Sequence, residues 1–218
     1  MTKKKKINAT VIMSSYMNYI LEHNSKPTSV FQFAQANKFE ESIFYKYFGS
    51  FEAVEKSIYK AFFDKTIAVL EKSKDYQMFD ARNKLLSFYY TYFENLTANR
   101  SYVLATLEMK QPFSYKMSVL SDLKISLLQF IDNLEIETID LMQKNIAQLQ
   151  NKSIQKSAWI QFLITLKFWI NDTSASFEKT DIFIEKSVNT SFDLIDTTPL
   201  KSVIDLGKFL FKENMNSN

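Results

Sequence analysis

Across 218 residues this chain has two glycines, Gly49 and Gly207, and three prolines, Pro27, Pro112 and Pro199. Strands need frequent turn residues, so such scarcity confines the chain to long helices joined by short polar loops. The apolar residues obey that constraint. Ile12, Tyr16, Tyr19 and Ile20 lie on one face of a helix expected over about residues 6–23. "NSKPT" ends it, and Ser29 with Gln32 forms an S-x-x-Q capping box for a second helix over 30–36. Asn37 and Lys38 make a turn, with Asn37 the residue expected to tolerate a left-handed backbone. A third helix opens at Glu40 and Glu41 and carries Phe44, Tyr47 and Phe48 on one face, and Ser50 caps a fourth, from Phe51 to about Lys72.

After a break at "KSKDYQMFD", Leu85, Tyr89, Tyr92, Phe93 and Leu96 mark a fifth helix, and "ANRS" and "QP" bound a short sixth. A helical stretch over about 114–149 is expected to break once, near 134–137. Trp159, Phe162, Leu163, Leu166, Trp169 and Ile170 mark another helix, and Ile184, Val188, Phe192 and Ile195 a last long one. The expected fold class is all-α.

Composition removes whole classes of chemistry. With no cysteine there are no disulfides and no thiolate sites, and with His23 alone there is no histidine pair for a metal or a nucleophile. His23 reads as a packing or capping residue on the inner face of the first helix, and Glu135, Glu137 and Asp140 as a solvated helix face. Two isolated glycines build no phosphate loop. Nothing calls for an enzyme or a cofactor. No apolar run is long enough to span a membrane: Trp159 to Ile170 is short and holds Gln161 and Lys167. A reducing, cytoplasmic location fits these features. Among the first 60 residues, five lysines beyond the arm balance five glutamates, so the excess positive charge is Lys3, Lys4, Lys5 and Lys6. Such an arm suits phosphate contact or a solubilising terminus.

The segment "SVFQFAQANKFEESIFYKYFGSFEAVE" resembles the helix-turn-helix of the TetR family of transcriptional regulators. That family's motif reads I-A-x-x-A-G-V-S-x-G-T-L-Y-x-H-F-x-S-K-E-x-L. Without gaps, Phe33-Ala34 take the I-A position, Tyr45 the tyrosine, Phe48 the phenylalanine, Ser50 the serine, Glu52 the glutamate and Val54 the last leucine. Lys38 replaces the turn glycine, Glu40 the serine, Ser42-Ile43 the small pair, and Phe51 a lysine that in the family meets phosphate.

The resemblance implies a DNA-binding domain over 1–50 and a helical ligand-binding and dimerisation domain over 51–218. It places Lys3, Lys4, Lys5, Lys6, Thr28, Ser29, Lys38, Glu41, Ser42, Tyr45 and Lys46 against double-stranded DNA. It puts Phe88, Tyr89, Tyr92, Met109, Tyr115, Met117, Phe130, Trp159 and Phe162 in segments that surround a small-molecule pocket, whose ligand would be apolar. An ordinary aromatic-rich core explains the same residues. The helix around Ile160, Ile164 and Phe168 is apolar on two sides and needs two partners. With Ile184, Val188, Phe192 and Ile195 it is expected to build a two-fold homodimer interface. A TetR-like fold that binds a lipid or other apolar molecule without reading DNA is the alternative.

Overall fold

The structure is a computed structural model that describes residues 7–107, 112–134, 136 and 144–196. Eleven α-helices and one 3-10 turn occupy these residues, with no strand among them. In order they are α1 (Ala9–His23), α2 (Val30–Ala36), α3 (Glu41–Tyr45), α4 (Phe51–Leu70), α5 (Lys74–Met78), α6 (Ala81–Thr97), α7 (Arg100–Leu107), α8 (Phe113–Val119), α9 (Ser121–Asp132), α10 (Lys144–Asn171) and α11 (Glu178–Asp196). The 3-10 turn, Ala175–Phe177, precedes α11.

Helix starts follow the cap chemistry of the sequence. Asn8 Oδ1 accepts from Val11 N at 3.0 Å, Ser29 Oγ from Gln32 N at 3.2 Å, and Ser50 Oγ from Ala53 N at 3.2 Å. Each satisfies a backbone donor that the first helical turn leaves open. Two expectations about loops change. "KSKDYQMFD" is not simply a break, because Ser73 caps the short helix α5 by accepting from Tyr76 N at 3.4 Å. The stretch expected to be one helix after residue 114 is divided at Leu120, whose N–H reaches back to Lys116 O and Ser118 O and closes α8.

The turn between α2 and α3 corrects the sequence reading. Asn37 stays at φ −95° while Lys38 takes the left-handed conformation at φ 58°. Lys38 therefore adopts the backbone that glycine supplies at that place in the motif. Asn37 contributes differently: its Nδ2 donates to Phe33 O at 2.8 Å and closes the end of α2.

By packing, the described residues divide into two compact units: those within 1–72 and 91–127, and those within 73–90 and 128–218. In the first, α1 packs on α4 and α7, α2 on α3, and α4 on α8. Ile12, Tyr16 and Ile20 bury one face of α1. An aromatic cluster joins the short helices to α4, with Phe51 at 5.5 Å from Phe33, 5.4 Å from Phe44 and stacked at 5.4 Å on Tyr16. Phe51 thus spends its ring on the core at a position where the family motif has a phosphate-facing lysine.

In the second unit α10 packs on α11. Asp172, 6% exposed, ties the connection: one carboxyl oxygen accepts from Ser174 N and Oγ at 2.8 and 2.7 Å, the other from Thr180 N and Oγ1 at 2.9 and 2.7 Å. Burial pushes this carboxyl up, but the hydrogen bonds outweigh it and hold it at about 2, below its ordinary 3.8.

Two stability predictions follow from these turns. Asp172→Ala should cost about 2 kcal/mol at neutral pH, in the range of lost bonds to a charged acceptor. The group's folded value is depressed, so its contribution is complete above about 3.8 and fades as pH falls towards about 2. Urea melts of the two proteins should accordingly differ most at pH 7 and by progressively less as pH falls from about 3.8 towards about 2. Lys38→Gly should stabilise by roughly 0.5–1 kcal/mol by relieving a left-handed side chain, read as a higher urea midpoint with an unchanged slope.

Candidate functional site

Three groups of residues carry the functional expectation, and the structure treats them differently. The helix-turn-helix group is the most coherent. Phe33, Ala34, Phe44 and Phe48 are buried, which turns Thr28, Lys38, Ser42, Tyr45 and Lys46 to solvent and leaves Ser29 and Glu41 half-buried. The seven therefore share the outer surface of the first unit's amino-terminal helices. Several are already engaged. Ser29 Oγ is the cap of α2, Tyr45 Oη donates to Glu41 at 3.4 Å, and Ser42 Oγ donates to Glu40 at 3.4 Å. Lys3, Lys4, Lys5 and Lys6 lie outside the described residues.

α3 has only five residues and ends at Tyr45, so Lys46 lies beyond its last turn. Tyr47, expected on the buried face with Phe44 and Phe48, is instead 44% exposed, because the helical spacing that would turn it inward has already stopped. Phe31, at 59%, is a second exposed ring in these helices. His23 is also exposed, not inward-facing; its Nδ1 lies 3.0 Å from Tyr19 O and its ring stacks on Tyr19.

The nine pocket candidates are distributed over both units. Phe88, Tyr89, Phe130, Trp159 and Phe162 belong to the second. There Phe88 lies 4.9 Å from Phe130, Tyr89 6.4 Å from Phe162, and Trp159 stacks on Phe162 at 5.5 Å. Tyr92, fully buried, and the half-buried Tyr115 and Met117 belong to the first unit, and Met109 lies outside the described residues, as do Glu135, Glu137 and Asp140. A groove of about 350 Å³ does open on the second unit, but Ile164, Lys167, Phe168, Asn171, Asp172 and Lys179 line it and none of the nine does.

Tyr115 has a commitment that the sequence did not suggest. Its hydroxyl donates to Glu55 Oε2 at 2.5 Å. Glu55 is fully buried on α4 and also accepts from Tyr16 Oη at 2.7 Å and pairs with Lys26 at 3.0 Å. Burial first, and the neighbouring carboxyl next, raise both tyrosines, so each stays protonated and keeps its donor. One signal for this cluster was available. Val54, Ile58, Tyr59 and Phe62 form the buried stripe of α4, and Glu55 stands inside that stripe.

The expected dimer surface divides as well. Ile160, Ile164 and Phe168 are 46%, 53% and 36% exposed, so α10 does present a second apolar face to solvent. Ile184, Val188 and Phe192 do not join it: they are buried by the chain's own packing, with Arg82 lying over the Phe192 ring and pairing with Asp193 at 2.8 Å. The side chain of Ile195 lies outside the described residues.

Among the described residues no helix is long and apolar enough to cross a membrane. In comparison with known proteins, no curated relative matches this chain. A family model does: the tetracyclin repressor-like, C-terminal domain matches residues 84–210, more than half of the chain and entirely outside the segment that carries the helix-turn-helix motif. Two non-overlapping stretches thus point the same way, and the chain belongs to the TetR family of transcriptional regulators.

Proposed function

We propose that this protein is a ligand-responsive transcriptional regulator that acts as a homodimer and reads double-stranded DNA with α2 and α3. The observation that carries the reading is the turn between those helices. Lys38 holds the left-handed backbone of the motif's glycine, and the buried rings on either side turn Thr28, Ser42, Tyr45 and Lys46 outward together. Hydroxyls and lysines suit phosphate contact, and Glu41 at the start of α3 suits a cytosine amino group. Lys3 to Lys6 supply the further positive charge that affinity for a phosphate backbone needs. Such a regulator works in the cytoplasm, without catalysis or cofactor.

Its effector is an apolar small molecule taken up by the carboxy-terminal helices, whose aromatic side chains are the candidate lining. The homodimer forms through the outward face of α10, around Ile160, Ile164 and Phe168, where apolar side chains face water in the single chain.

A second reading keeps the fold and the apolar ligand but not the DNA. Glu40 and Glu41 place negative charge at the start of α3, and Phe51 has left the phosphate-facing role for the core. Those charges stabilise the helix and oppose a phosphate at the same end.

One titration separates the two readings. Affinity should be measured by fluorescence polarisation for the protein's own upstream DNA and for random duplex, at low and at physiological salt. A regulator gives a specific complex that survives physiological salt. Replacing Lys3 to Lys6 by alanine should weaken binding to both duplexes and flatten the salt dependence by about 0.9 in slope per lost contact. Replacing Glu40 and Glu41 by glutamine should tighten binding, or relax its specificity if Glu41 reads a base. Equal, weak binding to both duplexes that vanishes with salt selects the second reading.

The interface has its own test. Ile164→Asp with Phe168→Asp should convert the dimer to a folded monomer, read by light scattering at micromolar concentration with an unchanged helical circular dichroism spectrum. A wild-type protein that is already monomeric there would refute the interface.

A further inference from the structure

Glu55 has no exposure to solvent, and the groups that satisfy it come from three different elements of the first unit. Tyr16 belongs to α1, Lys26 to the connection between α1 and α2, and Tyr115 to α8. The two carboxyl oxygens divide these partners. Oε1 accepts from Tyr16 at 2.7 Å and lies 3.0 Å from Lys26 Nζ. Oε2 accepts from Tyr115 at 2.5 Å and from Lys26 at 3.1 Å. Lys26 bridges both oxygens, donates to the Tyr115 hydroxyl, and sits 4.0 Å from the centre of that ring. One oxygen is thus held from the α1 side, the other from the α8 side, and the lysine just before α2 touches both.

This arrangement makes the positions of α1, α8 and the entry to α2 interdependent. A buried carboxyl is costly unless every partner is in place, and removing one partner destabilises far more than the pair itself contributes. If α8 moves and withdraws Tyr115, Oε2 keeps only Lys26, and that lysine also loses the hydroxyl and the ring that fix its ammonium group. A second tether runs beside the first: Ser118 of α8 donates to Glu52 Oε1 at 2.5 Å, and Lys56 pairs with the same oxygen at 3.0 Å. That bond ties α8 to α4 without reaching α1 or α2. Glu55 reaches further, joining α8 to α1 and to the α1–α2 connection through a single carboxyl group.

We propose that Glu55 is the positioning residue of the helix-turn-helix, through which displacement of α8 is transmitted to α1 and to the α1–α2 connection. The proposal deepens the reading of α2 and α3 as a DNA reader, and its test needs no DNA. It identifies the route by which an event at α8 reaches the amino-terminal helices, and it assigns Lys26 and Tyr115 as the two ends of that route.

Hydrogen exchange with mass spectrometric readout, on the full chain, tests it. Tyr115→Phe removes the α8 donor and leaves Tyr16 and Lys26 in place. Exchange should accelerate at least tenfold in α8 and together with it in residues 16–29, while α10 and α11 keep their protection. Thr106→Val is the control for general loosening of the same interior, because it breaks the 2.7 Å bond to Tyr59 without touching Glu55. It should leave residues 16–29 unchanged relative to the rest of the unit. Lys26→Met should loosen residues 16–29 by leaving the carboxyl without its cation, and adding Glu55→Gln should restore most of that protection, since both charges are then gone. Three results overturn the proposal: a Tyr115→Phe response confined to α8, a Thr106→Val response of the same pattern, or a double variant no better protected than Lys26→Met. Failure of specific DNA binding would leave the exchange pattern standing, and a purely local exchange response would leave DNA binding standing.

Discussion

A carboxyl group buried among tyrosines governs how the first unit is put together. Taking an ion pair out of water carries a desolvation cost of several kcal/mol per ion that is recovered only with good geometry and further hydrogen bonds. Glu55 meets that condition with two tyrosine hydroxyls and Lys26. Such a group contributes less to net stability than an apolar residue of the same shape would, but it tolerates only one arrangement of its neighbours. Nearby, Tyr59 finds Thr106 at 2.7 Å, whereas the buried Tyr102 hydroxyl makes no hydrogen bond among the described residues. The interior between α1, α4, α7 and α8 is therefore polar at its centre and specified by pairing, with its apolar rings arranged around that centre.

The aromatic cluster in front of it has a different role. Phe33, Phe44 and Phe51 meet mostly edge to face, the geometry in which a ring's positive edge meets another's negative face. They hold α2 and α3, seven and five residues long, which are far too short to be stable alone. The price is paid at Phe51, which packs inward at the head of α4 and leaves that position without a charge for phosphate. The rings that make the motif rigid are thus the same ones that alter its outer surface.

Much of the helical plan was legible because caps and spacing are local. Asn8, Ser29, Ser50 and Ser73 each accept the backbone donor that their position dictates. The inward faces of α1 and α4 follow the same logic. What was missed depends on the third dimension. Nothing local marks Leu120 as the division between α8 and α9, since neither glycine nor proline stands there. Lys38 takes the left-handed turn that Asn37 is intrinsically better suited to, so its backbone is set by the packing on either side. The bond from Tyr115 to Glu55 spans 60 residues of sequence, which no local spacing shows. Ile184, Val188 and Phe192 looked like an interface because one stripe of apolar residues reads the same whether its own chain or a second one covers it.

α10 shows how that ambiguity is settled once burial is known. Trp159, Phe162, Leu166 and Trp169 face inward, and so do polar groups between them. Thr165 is fully buried and donates to Gln161 O at 2.8 Å, and Gln161 Oε1 accepts from Ser191 of α11 at 3.0 Å. Outward, the same helix shows Ile160, Ile164 and Phe168. A helix that served only its own unit would gain by the opposite choice, with threonine and glutamine in water and isoleucine inside. Fully covering a side chain of this size is worth about 1.5–3 kcal/mol, and roughly a third to a half of each of these three is still exposed. That remaining gain is open only to something that lies along α10. The helix's inner polar contacts fix its seat on α11, and its outer apolar residues leave that burial gain unused in the single chain.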